Sequence, residues 1–365
     1  MFQTSRSQLL YLSALGVWGL WGYAYFNGMF TRLDTITRTL HFPDNRPLRD
    51  SYTGLGPLDK QLTLLSVFYD VLTNSLSSGP RLLFFDINYA VACTNLWTLI
   101  ESRRRGVRSW FLKYPAWAMV LCNANGAAIV LQIYLYCVCR SKARLRDPVV
   151  PLHEAVALPI ITVVMLLQPL LIFAPAWFGY SGSETHHALI ALFQVAPVIV
   201  LGLYVGITSL LSYHFPATSL SSKEYKKWIS ASLILAGSVA SAVHIYTLTG
   251  ALFTRDSDVS LTRLFVPTGG FTDPIKTLVS NENLLAEYAA LLENLHLFSQ
   301  WDWIVVCLTS VVYAQLLLSR REGLKVNKPA VPYEAQEMIY LTIATVVLGP
   351  GGAGSFALAI REARI

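Results

Sequence analysis

The stretch Leu82-Leu-Phe-Phe-Asp-Ile-Asn-Tyr-Ala-Val-Ala-Cys-Thr-Asn-Leu-Trp-Thr-Leu-Ile-Glu-Ser-Arg-Arg-Arg-Gly106 decides the fold class. From Leu82 to Ile100 it is almost wholly apolar, with Asp86 its one charge. A helix needs about 20 mainly apolar residues to cross a bilayer. The run then stops at a glutamate and three arginines, the kind of loop charge that flanks a membrane span. Similar runs recur on both sides: Leu9–Phe30, Pro115–Cys139, His153–Ala174, His187–Tyr213, Trp228–Phe253, Trp301–Ser319 and Glu337–Ile360. The expectation is an all-α, polytopic membrane helix bundle of about eight spans. Leu58–Leu76, interrupted by Asp59, Lys60 and Asp70, makes a ninth if it crosses, and is otherwise expected to line a cavity. Loop charges do not settle the orientation, but they favour eight.

Composition agrees. Of the 365 residues 54% are hydrophobic and only 14% charged, and the mean hydropathy is +0.46. A soluble surface needs more charge. The net charge of +6 is spread over short clusters such as Arg103–Arg105 and Arg320–Arg321, between apolar runs, and gives no nucleic-acid signal. Residues 1–365 read as one membrane domain. The first run is long enough to be a retained span rather than a cleaved signal. The polar stretch 254–300 reads as an extramembrane loop with an amphipathic helix from Asn283 to Phe298, lying on the membrane or over a cavity mouth.

Absent motifs narrow the chemistry. There is no phosphate-cradling Gly-x-x-x-x-Gly-Lys loop. Cys137-Val-Cys139 has no second ligand pair to make a zinc site. The histidines do not fall in di-iron patterns, and no Cys-x-x-Cys-His marks a haem. No acidic cluster of the kind that holds Mg²⁺–diphosphate occurs; Asp256-Ser-Asp258, in a polar loop, is the nearest approach. No metal or other cofactor is expected.

Polar groups inside spans are costly and usually face a cavity or a partner. Asp86, Asp70 and Asp302 are the acids so placed, among Tyr69, Tyr89, Trp97, Asn123, His296, Gln300 and Trp301. Each also has a plainer role. Asn and Gln often only join helices. Glu101 suits a pair with the arginines after it. Ser299-x-x-Asp302 before an apolar run fits a capping box.

Three stretches carry a resemblance: Gly54-Leu-Gly-Pro-Leu-Asp59, Leu99-Ile-Glu-Ser-Arg-Arg-Arg-Gly106 and Phe298-Ser-Gln-Trp-Asp302. In that order and membrane context the chain resembles the fungal transmembrane terpene cyclases of meroterpenoid pathways, of the ascochlorin/ascofuranone type. The resemblance implies a lipophilic substrate, a farnesylated phenol or its epoxide, drawn from membrane lipid. It implies cyclisation started by protonating a terminal epoxide or alkene, in an enzyme of the endoplasmic reticulum. The residues suit that chemistry. It needs one carboxylic acid kept protonated by burial, aromatic faces for a passing cation, and exclusion of water. Asp302 ranks first as the acid, flanked by Trp301 and Trp303 at a span entrance, with Asp86 second and Asp70 third. Tyr69, Tyr89, Trp97, Asn123, His296, Gln300 and Trp301 are the expected substrate contacts. The rivals are a small-molecule transporter or receptor, and a non-catalytic membrane scaffold. A transporter would be expected to show paired broken spans. Only Gly349-Pro-Gly-Gly-Ala-Gly354 in the last run is such a break.

Overall fold

A computed structural model describes residues 5–74, 78–141, 147–180, 182–213, 224–255, 257–272, 284–318 and 331–364. Thirteen helices position the site: α1 (Ser7–Phe26), α2 (Met29–Thr39), α3 (Gly56–Thr73), α4 (Ser78–Ser102), α5 (Ala116–Asn125), α6 (Ala127–Ser141), α7 (Leu152–Leu167), α8 (Leu170–Trp177), α9 (Glu184–Ser212), α10 (Glu224–Phe253), α11 (Leu261–Phe265), α12 (Leu284–Leu318) and α13 (Val331–Arg364). Among the described residues there is no strand, only one isolated bridge between His41 and Pro47. The bundle is all-helical, as expected.

The span count is lower than expected. Six helices are long and apolar enough to cross a membrane, and α7 with α8, bent by 41°, makes a seventh if counted as one span. The eighth expected span, Pro115–Cys139, is cut at Gly126, whose φ of +93° suits glycine. Neither half is long enough to cross alone. The Asp70 segment, α3, is not one of the six. The helix expected from Asn283 to Phe298 does not stand apart either. It is the first half of α12, which runs unbroken through Asp302 to Leu318. Nothing between Phe298 and Trp303 breaks helical backbone, so the apolar three-four pattern simply continues.

Asp59, in the Gly54–Asp59 stretch, ties down the turn that starts α3. Its carboxylate accepts from the backbone N–H groups of Thr53 (2.7 Å) and Gly54 (2.9 Å) and from the Thr53 hydroxyl (2.7 Å). Pro57 sits in the first helical turn, where its missing N–H costs nothing.

Small residues set the closest helix approaches. α10 and α13 meet along Gly237, Ala240 and Ser241 on one side and Gly351, Gly352 and Ser355 on the other. A β-carbon on Gly351 would lie 3.0 Å from the Cβ of Ala240, and one on Gly352 would strike the Ser241 hydroxyl. Substituting Gly352→Val should therefore force the two spans apart. Overpacking of this kind typically costs about 1–3 kcal/mol. Thermal unfolding in detergent would measure it, and an unchanged melting temperature would contradict this packing.

Candidate active site

α1, α2, α3, α4, the α5–α6 break and α12 enclose a cavity of about 240 Å³. Its inner wall is aromatic. Tyr69 packs against Phe84 (5.3 Å between ring centroids) and Phe193 (5.5 Å), and Phe68 against Phe298 (5.2 Å). Trp21, Phe30 and Gln61, all exposed, frame the mouth. Asn123 and Cys122 line the side formed by α5.

Asp302 is the only carboxylate among the lining residues. Its position follows from two local features. Gly126 ends α5, so the first N–H groups of α6 have no partner within their own helix. The Asp302 Oδ1 accepts the Ala128 N–H at 2.6 Å and so caps α6 from a neighbouring helix. It does not cap its own helix, because it lies well inside α12, and Ser299 instead bonds back to the Leu295 carbonyl (3.0 Å). The capping-box reading is thereby corrected, as is the reading of Asp302 as a span entrance. Among the described residues no Lys, Arg or His pairs with Asp302; its only hydrogen-bond partners are backbone N–H groups.

The other two acids are held by basic groups. Asp70 is fully buried, with the Arg46 Nη1 at 3.0 Å, the His186 Nδ1 at 3.1 Å and the His187 Nε2 at 3.4 Å. Burial pushes its carboxyl up, but the two histidines beside it and the Arg46 charge outweigh that and hold it well below the usual carboxylate range. Asp86 is buried away from the cavity, its Oδ2 accepting from the Trp303 Nε1 (2.9 Å) and facing the His244 Nδ1 (2.8 Å).

Of the expected substrate contacts, Tyr69 and Asn123 line the cavity, joined by a bond from the Tyr69 hydroxyl to the Asn123 carbonyl (3.1 Å). The rest lie elsewhere. Trp97 donates to the Ser355 hydroxyl (2.9 Å) in the core, and Tyr89 packs on Phe85 (5.0 Å). Trp301 faces α1, where a β-carbon on Gly19 would lie 2.8 Å from its ring. His296 and Gln300 each bond to the Arg263 carbonyl at 2.8 Å, fastening the end of α11. Glu101 pairs with Arg104 (3.1 Å), as the arginines after it suggested. Phe68, Phe84 and Gly126 were not singled out in the sequence, and Phe298 was named only for the stretch it opens and not as a cavity residue. Asn125-Gly126 was a turn signal inside an apolar run and could have located the break.

A helical membrane bundle with one carboxylic acid at an aromatic cavity defines the class. The model of the CtvD domain matches residues 5–365, and the chain belongs to that family. It is 69% identical over the full length of both chains to terpene cyclase DEP1 of Alternaria brassicicola. It is 27% identical to terpene cyclase alnG of Emericella nidulans, over 96% of this chain and 92% of that one. Terpene cyclase verU1 of Penicillium polonicum is 26% identical over 87% and 84%. No solved structure matches the chain.

Proposed function

We propose that the chain is a membrane terpene cyclase in which Asp302 protonates a terminal epoxide or alkene of a farnesylated aromatic or polyketide substrate, without a metal. The observation that carries this is the position of Asp302: the one acid at an aromatic cavity, and with no basic partner among the described residues. A carboxylate locked to a cation has given up its proton; Asp70 is of that kind. The Ala128 N–H holds Oδ1 as the carbonyl oxygen, which leaves Oδ2 to carry the proton.

The reaction balances as an isomerisation. The Oδ2 proton passes to the epoxide oxygen as a C–O bond breaks, or to an alkene carbon. The next double bond attacks the resulting cation, and ring closure moves the charge along the chain. Phe68, Tyr69, Phe84 and Phe298 present the π-faces that stabilise such a cation. Loss of a proton to the Asp302 carboxylate ends the cascade and restores the acid. The apolar wall keeps out the water that would quench the cation. A farnesyl chain entering from the bilayer between Trp21 and Phe30 reaches Asp302 by its distal end, and the endoplasmic reticulum is the membrane proposed. The relatives carry cyclase names, and no feature of the cavity favours a transporter.

Microsomes from cells expressing the chain test this. They should convert a farnesylated phenol or its epoxide to a cyclic isomer at the same rate with and without EDTA. Loss of turnover in EDTA, restored by Mg²⁺, would overturn the metal-free mechanism.

A further inference from the structure

Asp86 lies outside the cavity, yet its environment is built in detail. Pro350 has no N–H, so the carbonyl of Val346, four residues before it, loses its helical partner. The His244 Nε2 takes up that carbonyl at 3.1 Å. A carbonyl only accepts, so Nε2 carries a hydrogen. On the other side of the ring, Nδ1 faces the Asp86 Oδ2 at 2.8 Å. Trp303 donates its indole N–H to that same oxygen at 2.9 Å. A bare carboxylate against a bare ring nitrogen would place two lone pairs face to face. One proton must therefore lie between Oδ2 and Nδ1.

The cluster is sealed. Asp86 and His244 are 2% and 1% exposed. The His244 and Trp303 rings are stacked, with 6.2 Å between centroids, and Phe265 covers Trp303 at 4.6 Å. His296 and Gln300 hold the carbonyls of Arg263 and Leu264, which keeps Phe265 in place. Trp303 is the residue after Asp302, about 100° further around α12. Whatever fixes the Trp303 indole also fixes the rotation that turns Asp302 toward the cavity.

We infer that Asp86 is a positioning residue: with His244 it shares one buried proton, and the resulting pair anchors the Trp303 indole so that α12 presents Asp302 to the substrate. This rests on Asp302 being the acid. The chain of contacts runs from the Gly349–Pro350 break through His244, Asp86 and Trp303 to the α12 backbone.

Two measurements test it. The first needs no substrate. In protein labelled with ¹⁵N-histidine, the His244 signal, identified by its loss in His244→Gln, should show protons at both ring nitrogens between about pH 6 and 8, where a free histidine titrates. In Asp86→Asn the Nδ1 proton should be lost. An Nδ1 in the unsubstituted protein with the shift of a bare nitrogen that neither carries nor accepts a proton would overturn the shared proton. The second is the kinetics of Trp303→Phe, which keeps an aromatic ring, smaller than the indole, and removes the N–H. A misplacement of about 1 Å can cost on the order of a hundredfold. We expect kcat to fall about ten- to a hundredfold, with KM and melting temperature held. An unchanged kcat would overturn the positioning role, and a matched loss of kcat and folded protein would reduce it to a structural one. Absence of turnover by the unsubstituted protein on any farnesylated phenol would instead sink the cyclase reading, while the nitrogen signals would still decide the shared proton.

Discussion

Arg104→Ala should remove most of the folded protein. Arg104 is buried just past the C-terminal end of α4, with a side chain 1% exposed, between Glu101 at 3.1 Å and Glu362 of the last span. It also donates to the Pro148 carbonyl at 2.7 Å, which ties the segment after α6 to the same point. One cation thus joins three parts of the chain far apart in sequence. Taking it away leaves two carboxylates, each 4% exposed, facing each other without it. Arg361 stays 3.4 Å from Glu362. Breaking a buried pair by removing one partner costs about 3–5 kcal/mol, a large share of the roughly 5–15 kcal/mol by which proteins are stable. Yield from the membrane fraction and thermal unfolding in detergent measure it. A variant that expresses and melts like the parent would contradict the account of this cluster.

Asp302→Asn should have the largest effect on activity and a small one on stability. The asparagine keeps an oxygen to accept the Ala128 N–H, so the cap on α6 survives. It has no proton to give. Loss of a general acid costs on the order of a hundredfold or more, whereas loss of a cap costs about 1 kcal/mol. Asp302→Ala loses both, so comparing the two variants separates proton donation from capping.

Much of the bundle was legible because bilayer thickness imposes a length on apolar runs. The runs at Leu82–Ile100, Trp228–Phe253 and Glu337–Ile360 all became spans. Hydropathy hides the cut at Gly126 because it averages over a window, so only the Asn125-Gly126 turn signal marks it. The continuity of α12 was hidden for the opposite reason. Ser299, Gln300 and Asp302 look like a boundary in hydropathy, but a helix tolerates them where cavity and neighbouring backbone give them partners. Asp302 was visible as an acid among aromatics. What it bonds to was not, since Ala128 is 174 positions away. The partners of Asp70 and Asp86 also come from other segments, in Arg46, 24 positions away, and in the far more distant His186 and His244. No local pattern announces such pairs. The aromatic wall escaped notice because Phe68, Phe84 and Phe298 look like ordinary membrane residues until the helices are placed.

The central claim, that Asp302 starts cyclisation by giving up a proton, is tested most directly by one side-by-side assay. Parent and Asp302→Asn proteins are purified, shown to be present in equal folded amount, and reconstituted in lipid with a farnesylated phenol or its epoxide. The parent should give a cyclic product of unchanged mass, and the variant at least about a hundredfold less. Near-normal turnover by Asp302→Asn at equal folded amount would contradict it.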